Sequence, residues 1–126
     1  MAYNILIADD SLTARAFIVR ALEIAGVPVS QVYQARNGQE ALDLLQREWV
    51  DLVFVDINMP VMNGVELVRR MRTMELLKSI PVIVVSTDCS TRRMADMKEA
   101  GVQAYLTKPI TPEELKSIVE RFLKNS

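Results

Sequence analysis

The sequence of 126 residues contains no histidine and a single cysteine, Cys89. Without histidine, the chain has no His-dependent acid–base catalysis, no histidine metal ligand and no phosphohistidine of its own. With one cysteine it cannot form an internal disulfide, and a cysteine-based metal site is equally disfavoured. These absences are compatible with a reducing compartment, and we expect a cytoplasmic protein.

Long apolar runs, a signal-peptide pattern and a basic excess are also missing. A membrane span needs about 20 consecutive apolar residues, and no run approaches this length. The formal net charge is −1 and the pI is near 5.5, whereas nucleic-acid-binding domains are usually basic. We therefore predict neither a membrane nor a nucleic-acid partner, and we interpret Arg69, Arg70 and Arg72 as a solvated helix face.

The apolar pattern that is present alternates between the periods of strands and helices. This alternation, with nearly continuous apolar strands, predicts a parallel sheet covered by helices on both faces. The length favours one domain over residues 1–126 with a flavodoxin-like, doubly wound α/β fold of strand order 2-1-3-4-5 and five helices. The predicted strands are 3–8, 31–35, 51–55, 81–85 and 104–107, and the predicted helices are 11–26, 37–48, 63–74, 91–101 and a final one capped by Thr111.

Polar side chains follow four of the five predicted strands. In the predicted strand order these four strands are neighbours, and the carboxyl ends of parallel strands form one rim. Some of these residues could simply cap helices, as Asp10 or Ser11 could for the first helix. Capping does not easily explain polar side chains at the ends of four strands, so we expect a functional site at this rim. Its residues are Asp9 and Asp10 after the first strand, Asp56 after the third, Ser86 and Thr87 after the fourth, and Lys108 after the fifth.

The chemistry of these side chains indicates phosphoryl transfer assisted by magnesium. Adjacent carboxylates at ~4 Å repel each other by about 4 kcal/mol at intermediate dielectric, and a bound cation would cancel this repulsion. Asp9, Asp10 and Asp56 form an oxygen-only set that suits Mg²⁺. Ser86 and Lys108 can bind phosphoryl oxygens. Asp56, on the central strand, is the best-placed nucleophile, and a carboxylate needs no general base.

Four segments together resemble the receiver domain of bacterial two-component response regulators, and in particular its single-domain, CheY-like members. The segments are "DDS", "DINMPVMNG", "VVST" and "YLTKPIT", and the resemblance covers residues 3–124. It implies that a histidine kinase phosphorylates Asp56. It also implies that Asp9, Asp56 and the backbone carbonyl of Asn58 bind Mg²⁺, with Asp10 acting mainly through water. Such a protein is not an enzyme in the usual sense, because it catalyses only its own phosphorylation and dephosphorylation.

The resemblance also implies how a signal leaves the site. Ser86 matches the switch hydroxyl, Tyr105 matches an aromatic that rotates inward, and Lys108–Pro109 matches a step that is often cis. The output surface would be the fourth helix, fifth strand and fifth helix, where a downstream target, such as the flagellar motor switch in chemotaxis, would dock. A phosphatase is a further partner. Residues 92–94 and Lys98 suggest an adaptable, partly basic patch there, whereas we expect Met97 in the core.

Two positions depart from the family pattern, and two others bear on how long the signal lasts. Thr87 stands where Ala or Gly is usual and could crowd the phosphoryl pocket, whereas Ile110 replaces a common Phe and alters packing only. Asn58 and Asp88 lie at the positions that tune dephosphorylation. Their small polar side chains predict a short-lived phosphorylated state.

Other functions stay open on the sequence alone. A haloacid-dehalogenase-type phosphatase also uses a strand-end aspartate, but Asn58 fills the place of its second one. A flavin mononucleotide carrier is disfavoured because Asp9 and Asp10 would repel the phosphate. A stand-alone phosphorelay intermediate, a receiver cut from a larger regulator and a phosphorylation-independent adaptor with a vestigial pocket remain alternatives. Trp49, just before the third strand, is expected to be partly in the core.

Overall fold

A computed structural model describes residues 2–88 and 90–123, and Cys89 lies outside these residues. Five strands and five helices alternate along the chain, as predicted from the apolar pattern. In the part of the chain that is described, no helix is long and apolar enough to span a membrane. The elements are β1 (Tyr3–Ala8), α1 (Leu12–Ala25), β2 (Val29–Ala35), α2 (Gly38–Arg47), β3 (Leu52–Val55), α3 (Gly64–Arg72), β4 (Val82–Ser86), α4 (Thr91–Ala100), β5 (Ala104–Thr107) and α5 (Pro112–Leu123).

The five strands form one sheet in the order β2-β1-β3-β4-β5, which confirms the predicted topology. Every neighbouring pair is parallel. Ala8 of β1 pairs with Val55 of β3, and Ser86 of β4 pairs with Thr107 of β5. The residues that follow these positions therefore emerge at one edge of the sheet.

Two hydrophobic cores lie on opposite faces of the sheet, because successive side chains of a strand point in opposite directions. Ile5, Ile7 and Phe54 belong to the core that α1 and α5 cover. Leu6 and Val53 belong to the other core, which α2, α3 and α4 cover. Both faces of the central strands are thus buried, which explains their continuous apolar sequence.

Polar side chains begin the helices where the sequence predicts them. Ser11 and Asn37 accept hydrogen bonds from the backbone N–H groups three residues later, at the starts of α1 and α2. Thr111 caps α5 as predicted, and it forms a reciprocal capping box with Glu114. At α2 no such box forms, because Glu40 accepts from the N–H of Arg36 instead of from that of Asn37.

The prediction for Trp49 was wrong, since 78% of this residue is exposed. Its indole N–H donates to Asp51 Oδ1 at 3.2 Å, and its backbone carbonyl accepts from Asn4 at 2.9 Å. These polar contacts at the amino end of β3 hold the ring at the surface. Met97, by contrast, is completely buried as predicted.

The prediction of a solvated arginine face holds for two residues and fails for the third. Arg69 and Arg70 are exposed. The guanidinium of Arg72 instead donates to the carbonyls of Gly101, Lys78 and Ile80. Arg72 therefore ties α3 to the end of α4 and to the loop before β4, and the contact with Gly101 is remote in sequence.

Candidate functional site

Three carboxylates meet at the carboxyl ends of β1 and β3. One oxygen each of Asp9, Asp10 and Asp56 lies within 4.8 Å of the others, and this is a cluster that could hold a metal ion. Asp9 is buried, with 2% of its surface exposed, whereas Asp56 is half-buried and Asp10 is exposed. The three carboxylates therefore differ in exposure, from Asp9, which is buried, to Asp10, which faces solvent.

Asp9 is held through both its backbone and its side chain. Its N–H donates to the carbonyl of Ala35 on β2 at 3.0 Å, which continues the sheet beyond β1. Its Oδ1 accepts from the N–H of Ser11 at 2.9 Å, and its Oδ2 accepts from Lys108 at 2.8 Å. Its carbonyl accepts from Arg15 at 2.6 Å. The Asp9 carboxylate consequently has little freedom to reorient.

Asp56 directly follows β3 and is fixed to the adjacent strand. Its N–H donates to the carbonyl of Ala8 at 2.9 Å, and its Oδ1 accepts from the N–H of Ile57 at 2.7 Å. Gly64, the first residue of α3, lies directly behind it. A Cβ at position 64 would be 2.4 Å from the carbonyl oxygen of Asp56. A side chain there would therefore displace the Asp56 backbone.

Lys108 contacts the two less exposed carboxylates, those of Asp9 and Asp56. Its ammonium lies 2.8 Å from Asp9 Oδ2 and 3.2 Å from Asp56 Oδ2. Burial lowers the pKa of Lys108, but the hydrogen bond to Asp9 and the charges of Asp56 and Asp9 outweigh it, so the pKa is raised. Lys108 is thus an ammonium at neutral pH. The peptide bond between Lys108 and Pro109 is cis, as the resemblance implied.

The end of β4 carries a chain of polar contacts from Ser86 to Tyr105. Ser86 is completely buried, and its hydroxyl oxygen accepts from the N–H of Asp88 at 3.1 Å. The hydroxyl of Tyr105 donates to the carbonyl of Asp88. The N–H of Ser90 donates to the Asp88 carboxylate, and this contact is the largest cause of the lowered pKa of Asp88.

Thr87 and Asn58 are both exposed. Thr87 lines a mainly apolar groove of about 420 Å³ between α1 and the carboxyl ends of β4 and β5. Phe17, Lys108 and Ile110 also line this groove, and Ile110 is buried. Thr87 and Lys108 therefore border the same groove.

The donor set fits a hard divalent cation. Carboxylate oxygens are preferred Mg²⁺ ligands, and Mg²⁺ is commonly bound by only one or two of them together with water and phosphate. Three carboxylates face one ammonium here, so a cation would balance the remaining negative charge. Asp9 and Asp56 are the buried and half-buried candidates, and Asp10 is the one open to solvent.

Arg15 and the close packing of Gly64 were not predicted from the sequence. Arg15 is buried, together with Ile18 and Leu22 of the same helix. Its spacing of three and seven residues from them places it on the apolar stripe of α1. A charged residue at such a position was the signal that could have revealed it.

The protein is a doubly wound α/β domain with an aspartate cluster and a lysine at one end of its sheet. The family model described as "Response regulator receiver domain" matches residues 5–120. The chain therefore belongs to the response regulator receiver domain family. Members of this family are signalling proteins.

The relatives place the chain among CheY-like receiver domains. The "Chemotaxis protein CheY homolog" of Campylobacter jejuni is 38% identical over 121 residues, covering 95% of this chain and 92% of the relative. The structure of Vibrio cholerae chemotaxis protein CheY4 matches with a TM-score of 0.86 and 32% identity, over 98% and 100% of the two chains.

A more distant protein has the same fold. The receiver domain of a Pseudomonas aeruginosa sensor histidine kinase matches with a TM-score of 0.87 and 24% identity. The similarity covers 98% of this chain and 99% of that one, and that structure has a magnesium ion coordinated in its active site cleft. At this identity, the match concerns the fold alone.

Proposed function

We propose that the protein is a phosphorylation-activated switch of a two-component system, in which Asp56 accepts a phosphoryl group from a histidine kinase. The observation that carries this proposal is the Lys108 ammonium, which contacts the carboxylates of both Asp9 and Asp56. This arrangement concentrates charge where a transferred phosphoryl group would lie. The CheY-like relatives support a role in chemotaxis, with a motor-type target downstream.

In the transfer step, a carboxylate oxygen of Asp56 forms a bond to phosphorus while the phosphorus–nitrogen bond of the donor phosphohistidine breaks. The electron pair of that bond stays on the imidazole nitrogen, which takes up a proton. Once Asp56 carries the acyl phosphate, the Lys108 ammonium can bind the phosphoryl oxygens. A carboxylate nucleophile such as Asp56 needs no general base.

Asp9, Asp56 and the carbonyl of Asn58 are the proposed Mg²⁺ ligands, with Asp10 contributing through water. When bound, Mg²⁺ supplies positive charge that neutralises the phosphoryl oxygens. Asp9 is already oriented for this role by the Ser11 N–H and by Lys108. The exposed Asp10 can adapt to a hydrated ion.

The output would pass from Ser86 through Asp88 to Tyr105. The Ser86 hydroxyl oxygen now accepts from the Asp88 N–H, and the Asp88 carbonyl accepts from Tyr105. A phosphoryl group that draws the Ser86 hydroxyl towards Asp56 would break the first contact and shift the second. Tyr105 lines a mainly apolar groove of about 580 Å³ with Met94 and Lys98, which is the proposed docking surface for the target.

The proposal is tested by adding beryllofluoride and Mg²⁺, which together mimic an aspartyl phosphate, while backbone amide shifts are followed by NMR. We expect changes around Asp56 that continue through Ser86 to Tyr105 and α4. The variant Asp56→Asn should show no response. Ser86→Ala should keep the changes around Asp56 and lose those at Tyr105.

Two other results would replace the proposal. The absence of any Mg²⁺-dependent response in the unmodified protein would favour an adaptor with a vestigial pocket. Steady hydrolysis of varied phosphomonoesters would favour a phosphatase. A short phosphorylated lifetime stays a prediction from Asn58 and Asp88, and a lifetime of many hours would contradict it.

A further inference from the structure

Arg15 is a buried arginine beside the acidic cluster, and only 7% of its surface is exposed. Its Nη1 donates to the carbonyl of Asp9 at 2.6 Å, and its Nε donates to Oε1 of Gln34 at 3.0 Å. Both acceptors are uncharged. Within the described residues, no carboxylate forms a salt bridge with Arg15.

A buried charge is costly unless its hydrogen bonds and surroundings compensate it. For Arg15 the two hydrogen bonds are well formed, and the aspartate cluster is the nearby negative charge. Glu40 is a weaker neighbour, because its pKa is lowered mainly by hydrogen bonds with Arg36 and only last by the charge of Arg15. An apolar residue would fill the same place on the stripe of α1 without this cost. The position therefore serves the contact with Asp9 and not the core.

The contact ties three elements together at the site. Gln34 lies on β2, Arg15 on α1 and Asp9 at the end of β1. Lys108 holds the carboxylate of Asp9, and Arg15 holds its carbonyl and thus the peptide plane that leads into Asp10. Two neighbouring metal-ligand candidates are therefore oriented by one guanidinium that itself touches neither carboxylate.

We propose that Arg15 is a positioning residue for the metal site, and that Gln34 orients Arg15 for this task. The inference rests on the proposed Mg²⁺ site and assigns these two residues a role in its affinity. Residues that orient metal ligands typically contribute about 10-fold to 100-fold in metal affinity. Arg15 also acts as a nearby positive charge, which by itself would weaken the binding of a cation. Orientation of the ligands would strengthen Mg²⁺ binding and the charge would weaken it, so variants of Arg15 can separate the two effects.

The experiment measures Mg²⁺ affinity in the full, unphosphorylated chain by amide NMR shifts after removal of metal with a chelator. Arg15→Met removes both the charge and the hydrogen bonds, and we expect about 10-fold weaker Mg²⁺ binding. Arg15→Lys keeps the charge but cannot span both acceptors, and about threefold weaker binding is expected. Gln34→Met keeps Arg15 and removes its second acceptor. Its Mg²⁺ affinity should lie between those of the unmodified protein and Arg15→Met.

Arg20→Met is the matched control, because Arg20 lies on the same helix with 72% of its side chain exposed. It removes the same charge and should change Mg²⁺ affinity by less than twofold. A second readout is the amide shift of Ser11, whose N–H donates to the Asp9 carboxylate. This shift should move in the Arg15 and Gln34 variants without metal and should not move in Arg20→Met.

The outcomes distinguish the inference from the proposed function. If the unmodified protein does not bind Mg²⁺, the proposed function fails. If it binds Mg²⁺, but Arg15→Lys and Gln34→Met bind it equally well, the positioning role is overturned. Tighter binding by Arg15→Met would also overturn it, because the charge alone would then matter. Should Arg15→Met not fold, Arg15→Lys and Gln34→Met still decide the question.

Discussion

The two ends of α4 are held in different ways. At its carboxyl end, Gly101 donates to the carbonyls of Met97 and Lys98, and two nitrogens of Arg72 donate to the carbonyl of Gly101. At its amino end, Ser90 accepts from the N–H of Arg93, with both residues at or near the surface. One end is anchored to another helix, whereas the other is held by its own first turn and by Asp88 of the preceding loop, which contacts Ser90 and Arg93.

This difference shows where a signal could act. The amino end follows Ser86, which lies in the proposed phosphoryl site at the end of β4, and Asp88, whose N–H donates to the Ser86 hydroxyl. Few buried contacts hold this end, so its local free energy of opening should be low. The carboxyl end can then serve as a fixed point for movement of the helix. Three substitutions test the contrast, in order of decreasing expected effect on stability.

Arg72→Met should have the largest effect. It removes the donors for the carbonyls of Gly101 and Ile80, which are half-buried, and of Lys78, which is exposed. Each lost hydrogen bond to this charged group costs about 1 kcal/mol. We expect the free energy of unfolding, measured with urea, to fall by about 3 kcal/mol. Arg69→Met, on the exposed face of the same helix, is the control and should cost less than about 0.5 kcal/mol. Equal losses in the two variants would show that Arg72 is not an anchor.

Gly101→Ala should have an intermediate effect. Gly101 has a φ of 109°, and an added Cβ would lie 3.0 Å from Nε of Arg72. The left-handed backbone and this contact together should cost about 2 kcal/mol of unfolding free energy.

Gly26→Ala provides the matched comparison for this variant. Gly26 ends α1 with a φ of 72°, and nothing lies within 4 Å of its added Cβ. It should cost about 1 kcal/mol, mainly through its backbone conformation. If Gly26→Ala costs as much as Gly101→Ala, the contact with Arg72 contributes nothing to the anchor.

Ser90→Ala should have the smallest effect, about 1 kcal/mol, because it removes one helix cap. Hydrogen exchange should accelerate at the Arg93 amide and stay unchanged at Gly101. Thr111→Ala removes a comparable cap from α5 and should leave exchange at Arg93 unchanged. Faster exchange at both ends of α4 in Ser90→Ala would mean that the helix opens as a unit.

Much of the fold follows from local sequence. The period of apolar residues defined all ten elements, and the shifts at their ends were small, as for β2, which begins at Val29 instead of residue 31. Caps such as Ser11 and Thr111 depend on residues three positions away, so a short segment contains all the information required.

Only part of the candidate site could be predicted from local sequence. Asp9, Asp56 and Lys108 could be placed together because each follows a strand, and the ends of parallel strands share one edge. Arg15 was overlooked because its acceptors lie on other elements, and Trp49 was wrongly assigned to the core because hydrophobic character does not reveal which way a loop turns its side chain.

Local sequence is enough to predict the alternation of elements, the helix caps and the polar residues at the strand ends, since these depend on period and nearest neighbours. Which charged side chains are buried, and what they bind, depends on the folded chain. Arg15 and Arg72 reach carbonyls that other elements or distant turns bring to them. Only the folded chain fixes those distances, because packing of the helices on the sheet sets them.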